Sequence, residues 1–300
     1  MTIHSQTAFL FPGQGSQFVG MLSAEFSSSA CIKKIFSRAS DVLHYDLWDL
    51  VKNGPAEKLD QTEYTQPALL AANVALWEDW CDKNTEKPAF LAGHSLGEYA
   101  ALVCAESIIF EDAILLVSQR GHYMQSAVAP GSGAMAAIVG LSDDTVATVC
   151  EKSGGIVSPA NYNSIGQVVI AGETCAVEKA ILIAREAGAK IAKKIPVSVP
   201  SHCVLMQSAA DQMAQVLKSI RIKIPLIPVI HNVDAVFYHS SEKIRDALVR
   251  QLTSPVRWVE TIQYLISQGV TQFYECGPGS VLCGLNKRIS RDTICRSLVD

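Results

Sequence analysis

Ala89-Phe-Leu-Ala-Gly-His-Ser-Leu-Gly-Glu-Tyr-Ala-Ala-Leu102 carries a short apolar run straight into Gly93-His94-Ser95-Leu96-Gly97 and on into residues that favour a helix. Pro88 opens the run, so the stretch predicts a buried strand (Ala89–Ala92), a tight turn and a helix (Glu98–Cys104). Gly-x-Ser-x-Gly is a weak string by itself, since glycine and serine are common residues. Between a strand and a helix it has the setting of a nucleophile elbow. Glycines two residues either side of the serine let neighbouring chains pass closely, and the turn holds the Ser95 hydroxyl clear of the sheet. The Leu96 amide would sit at a helix N-terminus, where partial positive charge favours an oxyanion. The plainer alternative is a serine that only caps the helix.

Upstream, Thr7–Phe11 reads as a second short buried strand, ended by the loop Pro12-Gly-Gln-Gly15. Helices are predicted near Ala30–His44 and Gln66–Cys81, and again at Glu111–Ala127. Strand, crossover helix, strand, helix is the order of a parallel sheet covered on both faces. The middle of the chain differs. After Pro130-Gly-Ser-Gly133 come a strand (Ala134–Val139) and a helix (Ser142–Lys152) with Ser142 as N-cap. Strands Ile156–Tyr162 and Gln167–Ala171 follow, joined by Asn163-Ser-Ile-Gly166. A helix (Glu173–Ala187) stopped by Gly188 and a strand (Lys190–Ile195) complete the set. This β-α-β-β-α-β order is ferredoxin-like. The expected fold class is therefore α/β, with residues 131–197 a small domain inserted into a discontinuous large one, 1–130 and 198–300. The large part resumes near Pro200, with helices at Leu205–Ser219, Glu242–Leu252 and Val259–Gln268. Its strands are expected at Pro228–His231, Thr271–Glu275 and Arg296–Val299.

With 300 residues, 49% hydrophobic and 18% charged, the chain can bury a sizeable core. A net charge of -4 gives no general pull towards nucleic acid or anionic membrane. No run approaches the roughly 18 apolar residues of a membrane span, and Met1-Thr-Ile-His-Ser-Gln6 lacks the basic start of a signal peptide. Nine cysteines, without a C-x-x-C pair or a His/Cys cluster, read as reduced thiols of a cytoplasmic protein. Neither a structural disulfide nor zinc is expected.

A serine is a poor nucleophile without a base. Among the seven histidines, His94 adjoins Ser95 and should point away to support the turn. His4, His44 and His239 sit in terminal or polar settings and are expected to be solvated; His122 and His231 are less clear. His202, in Val199-Pro-Ser-His202, follows directly on the insert, where a proline-set loop could hold an imidazole against the elbow. The residues alone put His202 ahead of His231 and leave both standing.

Several blocks, in one order along nearly the whole chain, carry a resemblance. They are Phe11-Pro-Gly-Gln-Gly-Ser-Gln17, Gly93-His-Ser-Leu-Gly-Glu-Tyr-Ala-Ala-Leu102, Gln119-Arg-Gly121 with Met124-Gln125, and Pro200-Ser-His-Cys203. Gln251-Leu-Thr-Ser-Pro-Val-Arg-Trp258 and Glu275-Cys-Gly-Pro-Gly279 complete the series. Together they resemble the malonyl-CoA:acyl carrier protein transacylase family. The resemblance implies a hydrolase-like parallel-sheet core with an inserted ferredoxin-like small domain. It also implies an acyltransferase of fatty-acid biosynthesis, moving malonyl from malonyl-CoA to the phosphopantetheine thiol of acyl carrier protein by a ping-pong, acyl-serine route. Ser95 would be the nucleophile and His202 its base, with a backbone carbonyl at Gln251 fixing the imidazole tautomer. The amides of Gln14 and Leu96 would form the oxyanion hole. Arg120 would hold the malonyl carboxylate, with Asn163 and Gln251 completing the substrate-binding set. No metal or organic cofactor is implied. The expected partners are malonyl-CoA and acyl carrier protein, without nucleic acid or membrane, and the chain is expected to act as a monomer. Gly121-His-Tyr123 departs from many relatives, and His122 and Tyr123 could alter the pocket edge.

The chemistry of such a substrate suits an arginine beside a serine. A guanidinium–carboxylate pair satisfies both charges and fixes one orientation. An acetyl group would leave the cation unpaired, at a cost of roughly 3–5 kcal/mol in a dry site. Lys190, Lys193 and Lys194, and separately Lys287 and Arg288, are candidate docking groups for an acidic carrier, against the plainer reading of solvated surface. Three rival readings compete with malonyl transfer. A serine hydrolase would need an acid in a strand-end loop before its histidine, and Asp143 and Asp144 fall at a helix start instead. A polyketide-type acyltransferase with another extender unit, and an inactive binding domain of the same fold, are the others.

Overall fold

Phe9 and Phe11 point to one side of strand β1 (Thr7–Phe11), Ala8 and Leu10 to the other, and each pair is buried in its own apolar cluster. An uninterrupted apolar run is what a strand covered on both faces requires. The structure, a computed structural model, describes residues 6–197 and 199–299. His4, and Ser198 and Asp300 at the edges of the expected domains, lie outside the described residues.

From β1 the chain runs through α1 (Ser23–Ser28), α2 (Ala30–Leu43), α3 (Leu47–Asn53), α4 (Ala56–Leu59) and α5 (Thr62–Lys83). It then enters β2 (Phe90–Gly93), α6 (Gly97–Cys104) and α7 (Phe110–Ser126). Next come β3 (Gly133–Val139), α8 (Asp143–Ser153), β4 (Val157–Ser164), β5 (Gln167–Glu173), α9 (Thr174–Glu186) and β6 (Ile191–Lys194). A 3-10 turn (Val204–Met206) leads into α10 (Gln207–Ser219), β7 (Val229–Ile230), α11 (Ser241–Arg250), α12 (Trp258–Ser267), β8 (Gln272–Glu275), α13 (Val281–Ile289) and β9 (Ile294–Ser297).

Two sheets result. The first is parallel, in the order β7-β2-β1-β8-β9. The second is antiparallel, in the order β4-β5-β3-β6, which is the ferredoxin-like arrangement. Alternation along its strands gives the second sheet two distinct faces. Ala136, Ile138, Val168 and Ile170 pack with α8 and α9, while Met135, Val169 and Ala171 face Cys203 in the loop that returns to the first sheet. The units are also tied through the backbone. Val256 N donates to Ala160 O and Tyr162 N to Val256 O, both at 2.9 Å.

The α/β class and its two-sheet construction are as the sequence suggests, and Ser142 caps α8 through a bond from Thr145 N. The short helices α1, α3, α4 and α13 were not expected. The cysteine expectation is corrected: Cys283 and Cys295 form a disulfide, with Cα atoms 5.1 Å apart. Packing of α13 against β9 brings together two residues that no sequence pattern joins. Among the described residues no cluster of His, Cys, Asp or Glu is arranged to hold a metal. No described helix is long and apolar enough to cross a membrane.

Candidate active site

Ser95 occupies the turn between β2 and α6 with φ of 53°, a left-handed conformation rare outside glycine. Close packing around it over-determines that conformation. A Cβ on Gly93 would fall 1.9 Å from the Gly97 carbonyl carbon, and one on Gly97 would fall 1.9 Å from Phe11 O. The two glycines thus let the end of β1, the end of β2 and the start of α6 meet at one point. The loop after β1 crosses the same point, because Gly13 leaves room beside the His94 carbonyl.

His202, also at positive φ (63°), hangs from the Pro200-Ser201 loop and is buried. Its Nε2 lies 2.8 Å from Ser95 Oγ and its Nδ1 2.7 Å from the Gln251 carbonyl. A carbonyl can only accept, so Nδ1 carries the proton and Nε2 is left to take one from the serine. That carbonyl stands at the C-terminal end of α11, where the helix dipole adds negative charge. Burial, followed by the neighbouring Arg120 cation, pushes the imidazole down to about 3. It is therefore a neutral acceptor near pH 7. His231 instead lies beneath the elbow, fully buried, with Nδ1 2.7 Å from Glu98 Oε1. Geometry separates the two candidate bases.

Arg120 projects from α7 and is only 1% exposed. Its Nη2 donates to Ser95 Oγ at 3.3 Å and to Gln251 Oε1 at 2.9 Å, and its Nη1 donates to Gln66 Oε1 at 2.8 Å. The guanidinium also stacks 5.4 Å from the Tyr99 ring centre. Burial pushes the group down from its ordinary value, yet an arginine stays charged. Among the described residues no carboxylate lies within ion-pair distance of it, and Nε has no partner. A buried cation held by neutral amides is one left available for an anion.

Ser95, His202, Arg120 and Gln66 line a cleft of about 140 Å³ between the two sheets, with Gln14, Leu96, Met124, Met135, Asn161, Asn163 and Val169 on its walls; Gln251 does not line it. The amides of Gln14 and Leu96 donate to no partner among the described residues, and Leu96 precedes the first turn of α6. Asn163 reaches across from β4, whose register shifts on either side of Asn161 and Tyr162 re-aim the strand. Its Oδ1 is 2.8 Å from His94 Nε2, so His94 supports the junction of the two units. His44, His122 and His239 are exposed, and neither His122 nor Tyr123 lines the cleft.

Sequence reasoning missed Gln66, Asn232 and Glu98. Asn232 accepts from the Ser95 amide at 2.7 Å and donates to Gly93 O at 2.7 Å, bracing the elbow. Its position next to His231 was the only signal. Chemically, the arrangement can acylate Ser95: a neutral base and a fixed positive charge both reach its hydroxyl, and Gln14 and Leu96 line the same cleft.

The chain matches the acyl transferase domain family over residues 8–293. It is 53% identical over 298 residues to the malonyl CoA-acyl carrier protein transacylase of Escherichia coli strain K12, covering 99% of this chain and 96% of that one. Among solved structures, the malonyl CoA-acyl carrier protein transacylase of Coxiella burnetii superposes with a TM-score of 0.98 at 52% identity, covering 100% of this chain and 95% of that one. A malonyl-transacylase solved in complex with a type II PKS acyl-carrier protein superposes with a TM-score of 0.97 at 52% identity, covering 99% and 96%.

Proposed function

The chain belongs to the malonyl-CoA:acyl carrier protein transacylase family, and we propose that it moves a malonyl group from malonyl-CoA to the phosphopantetheine thiol of an acyl carrier protein through an acyl-Ser95 intermediate. The observation that carries this reading is the buried Arg120 cation, without a carboxylate partner among the described residues, 3.3 Å from Ser95 Oγ. An acyl group on that oxygen whose far end is a carboxylate satisfies the arginine.

In the first half-reaction Ser95 Oγ attacks the thioester carbonyl carbon while His202 Nε2 takes its proton. The oxyanion forms against the Gln14 and Leu96 amides; each such donor contributes on the order of 10²–10³ in rate. Collapse breaks the C–S bond, and His202 returns the proton to the departing coenzyme A sulfur. In the second half-reaction the carrier thiol gives its proton to His202 and attacks the acyl ester. Collapse returns the proton to Ser95. Arg120 holds the malonyl carboxylate throughout and Asn163 borders the acyl group, while Gln251, buried behind the cleft lining, acts through its bonds to Arg120 and His202. No metal or organic cofactor enters this scheme. The His202 partner is a backbone carbonyl, not an aspartate or glutamate, which favours transfer over the hydrolase alternative.

In this proposal residues 131–197 form the small domain and 1–130 with 198–300 the large one, and the protein acts as a cytoplasmic monomer. Exposed Lys190, Lys193 and Lys194, and exposed Lys287 and Arg288, are the groups an acidic carrier would meet. Intact-mass measurement after mixing with malonyl-CoA tests the proposal. One malonyl group should appear on the parent, at Ser95, and none on Ser95→Ala. Persistent labelling of the alanine variant would sink it.

A further inference from the structure

Glu98 stands in the first turn of α6, where an acidic residue is ordinarily explained by the positive end of the helix. It is instead fully buried. Its Oε1 lies 2.7 Å from Nδ1 of the equally buried His231, and its Oε2 accepts from the Asn232 amide at 3.0 Å and from Gln251 Nε2 at 2.8 Å. A carboxylate removed from water is costly unless its lone pairs are filled. Here the two residues Asn232 and Gln251 that help fill them are bonded onward to the Ser95 backbone, to Arg120 and to His202. The Asn232 side chain holds the Ser95 amide and the Gly93 carbonyl, both at 2.7 Å. The Gln251 side chain accepts from Arg120 Nη2 at 2.9 Å and donates to Ser95 O at 3.1 Å, while its carbonyl holds His202 Nδ1 at 2.7 Å.

We propose that Glu98 is the positioning residue of this site, acting through Asn232 and Gln251 to hold the serine, its histidine base and the arginine in one arrangement. It touches neither the acyl group nor the reacting atoms. The inference deepens the acyl-transfer reading and rests on it. Two plainer roles compete, a counter-charge for His231 or Arg120 and a simple helix-end acid. Both ask for negative charge near this spot, whereas positioning asks for an oxygen at the place of Oε2. Glu98→Gln keeps the length and can turn its amide oxygen to Asn232 and Gln251, offering its NH₂ to His231. Glu98→Asp keeps the charge but withdraws the carboxylate by one methylene. Misplacement by about 1 Å at a reacting pair costs on the order of a hundredfold.

The test is the single-turnover rate of Ser95 acylation by malonyl-CoA, read by intact mass on the full chain, with near-UV circular dichroism confirming the fold. Glu98→Gln should stay within about tenfold of the parent, and Glu98→Asp should be slower than Glu98→Gln. Glu98→Asp as fast as Glu98→Gln, or faster, overturns the proposal in favour of charge. Should either variant not fold, Asn232→Ala decides, because it leaves Glu98 its bond from the residue 232 backbone amide. Its acylation should fall about tenfold or more; a parental rate overturns the proposal. A parent that is never acylated is a separate result, and it removes the transfer reading itself.

Discussion

His202 Nε2 faces the Ser95 hydroxyl as an acceptor because Nδ1 is committed to the Gln251 carbonyl. Burial and the Arg120 cation keep it neutral, with a folded value of about 3 against roughly 6.5 in an unfolded chain. As the proposed base it is thus ready without deprotonation, so kcat/KM for malonyl-CoA should show no histidine limb between about pH 5 and 8. A limb near pH 6.5 in initial rates would contradict this. The same depression links to stability. The unfolded chain binds the extra proton first, so the contribution of His202 is complete above the unfolded value and is lost as pH falls through the folded one. His202→Asn should flatten the decline in urea-unfolding free energy from pH 7 to 4; parallel curves would refute the assignment. Ser95, His202 and Arg120 were legible in the sequence through their motifs. Gln66, Glu98 and Asn232 were not, because a polar residue in an apolar run reveals its bonding only when its partners, here up to 153 positions away, are brought beside it.

Helix α6 and strands β1 and β2 meet through glycine, and that meeting sets the position of Ser95. Gly97→Ala would drive a Cβ to 1.9 Å from Phe11 O, a backbone atom that has no free rotamer to retreat to. It should destabilise the protein by about 1–3 kcal/mol and slow Ser95 acylation. Gly284, inside α13, meets nothing within 4 Å, so Gly284→Ala should stabilise by about 0.5–1 kcal/mol. Urea midpoints of the two variants check both signs; similar shifts would mean that the contacts at Gly97 do not govern the elbow. Elements with a regular period or a clear cap were readable, α8 with its Ser142 cap foremost. Helix α5 was found but begins earlier than expected, since its residues from Thr65 to Trp77 are all buried and no polar face marks its start. Helices α3 and α4, of 7 and 4 residues, are too short to show a period. The sequence pattern of Cys283 and Cys295 suggests free thiols, because only the packing of α13 on β9 pairs them.

The parallel sheet delivers Ser95 and Gln14 from the C-terminal ends of neighbouring strands, β2 and β1. The antiparallel sheet closes the cleft from the opposite side with Met135, Asn163 and Val169. Neither unit alone contains the whole enclosure, which explains why an insert separates the serine from its histidine in sequence. Under the proposed mechanism the arginine is the group that ties activity to one class of acyl chain. The decisive measurement is the rate of Ser95 acylation by malonyl-CoA and by acetyl-CoA, followed by intact mass in the parent and in Arg120→Ala. The malonyl rate should fall about a hundredfold or more while the acetyl rate changes little. Equal losses with the two donors would contradict the carboxylate clamp.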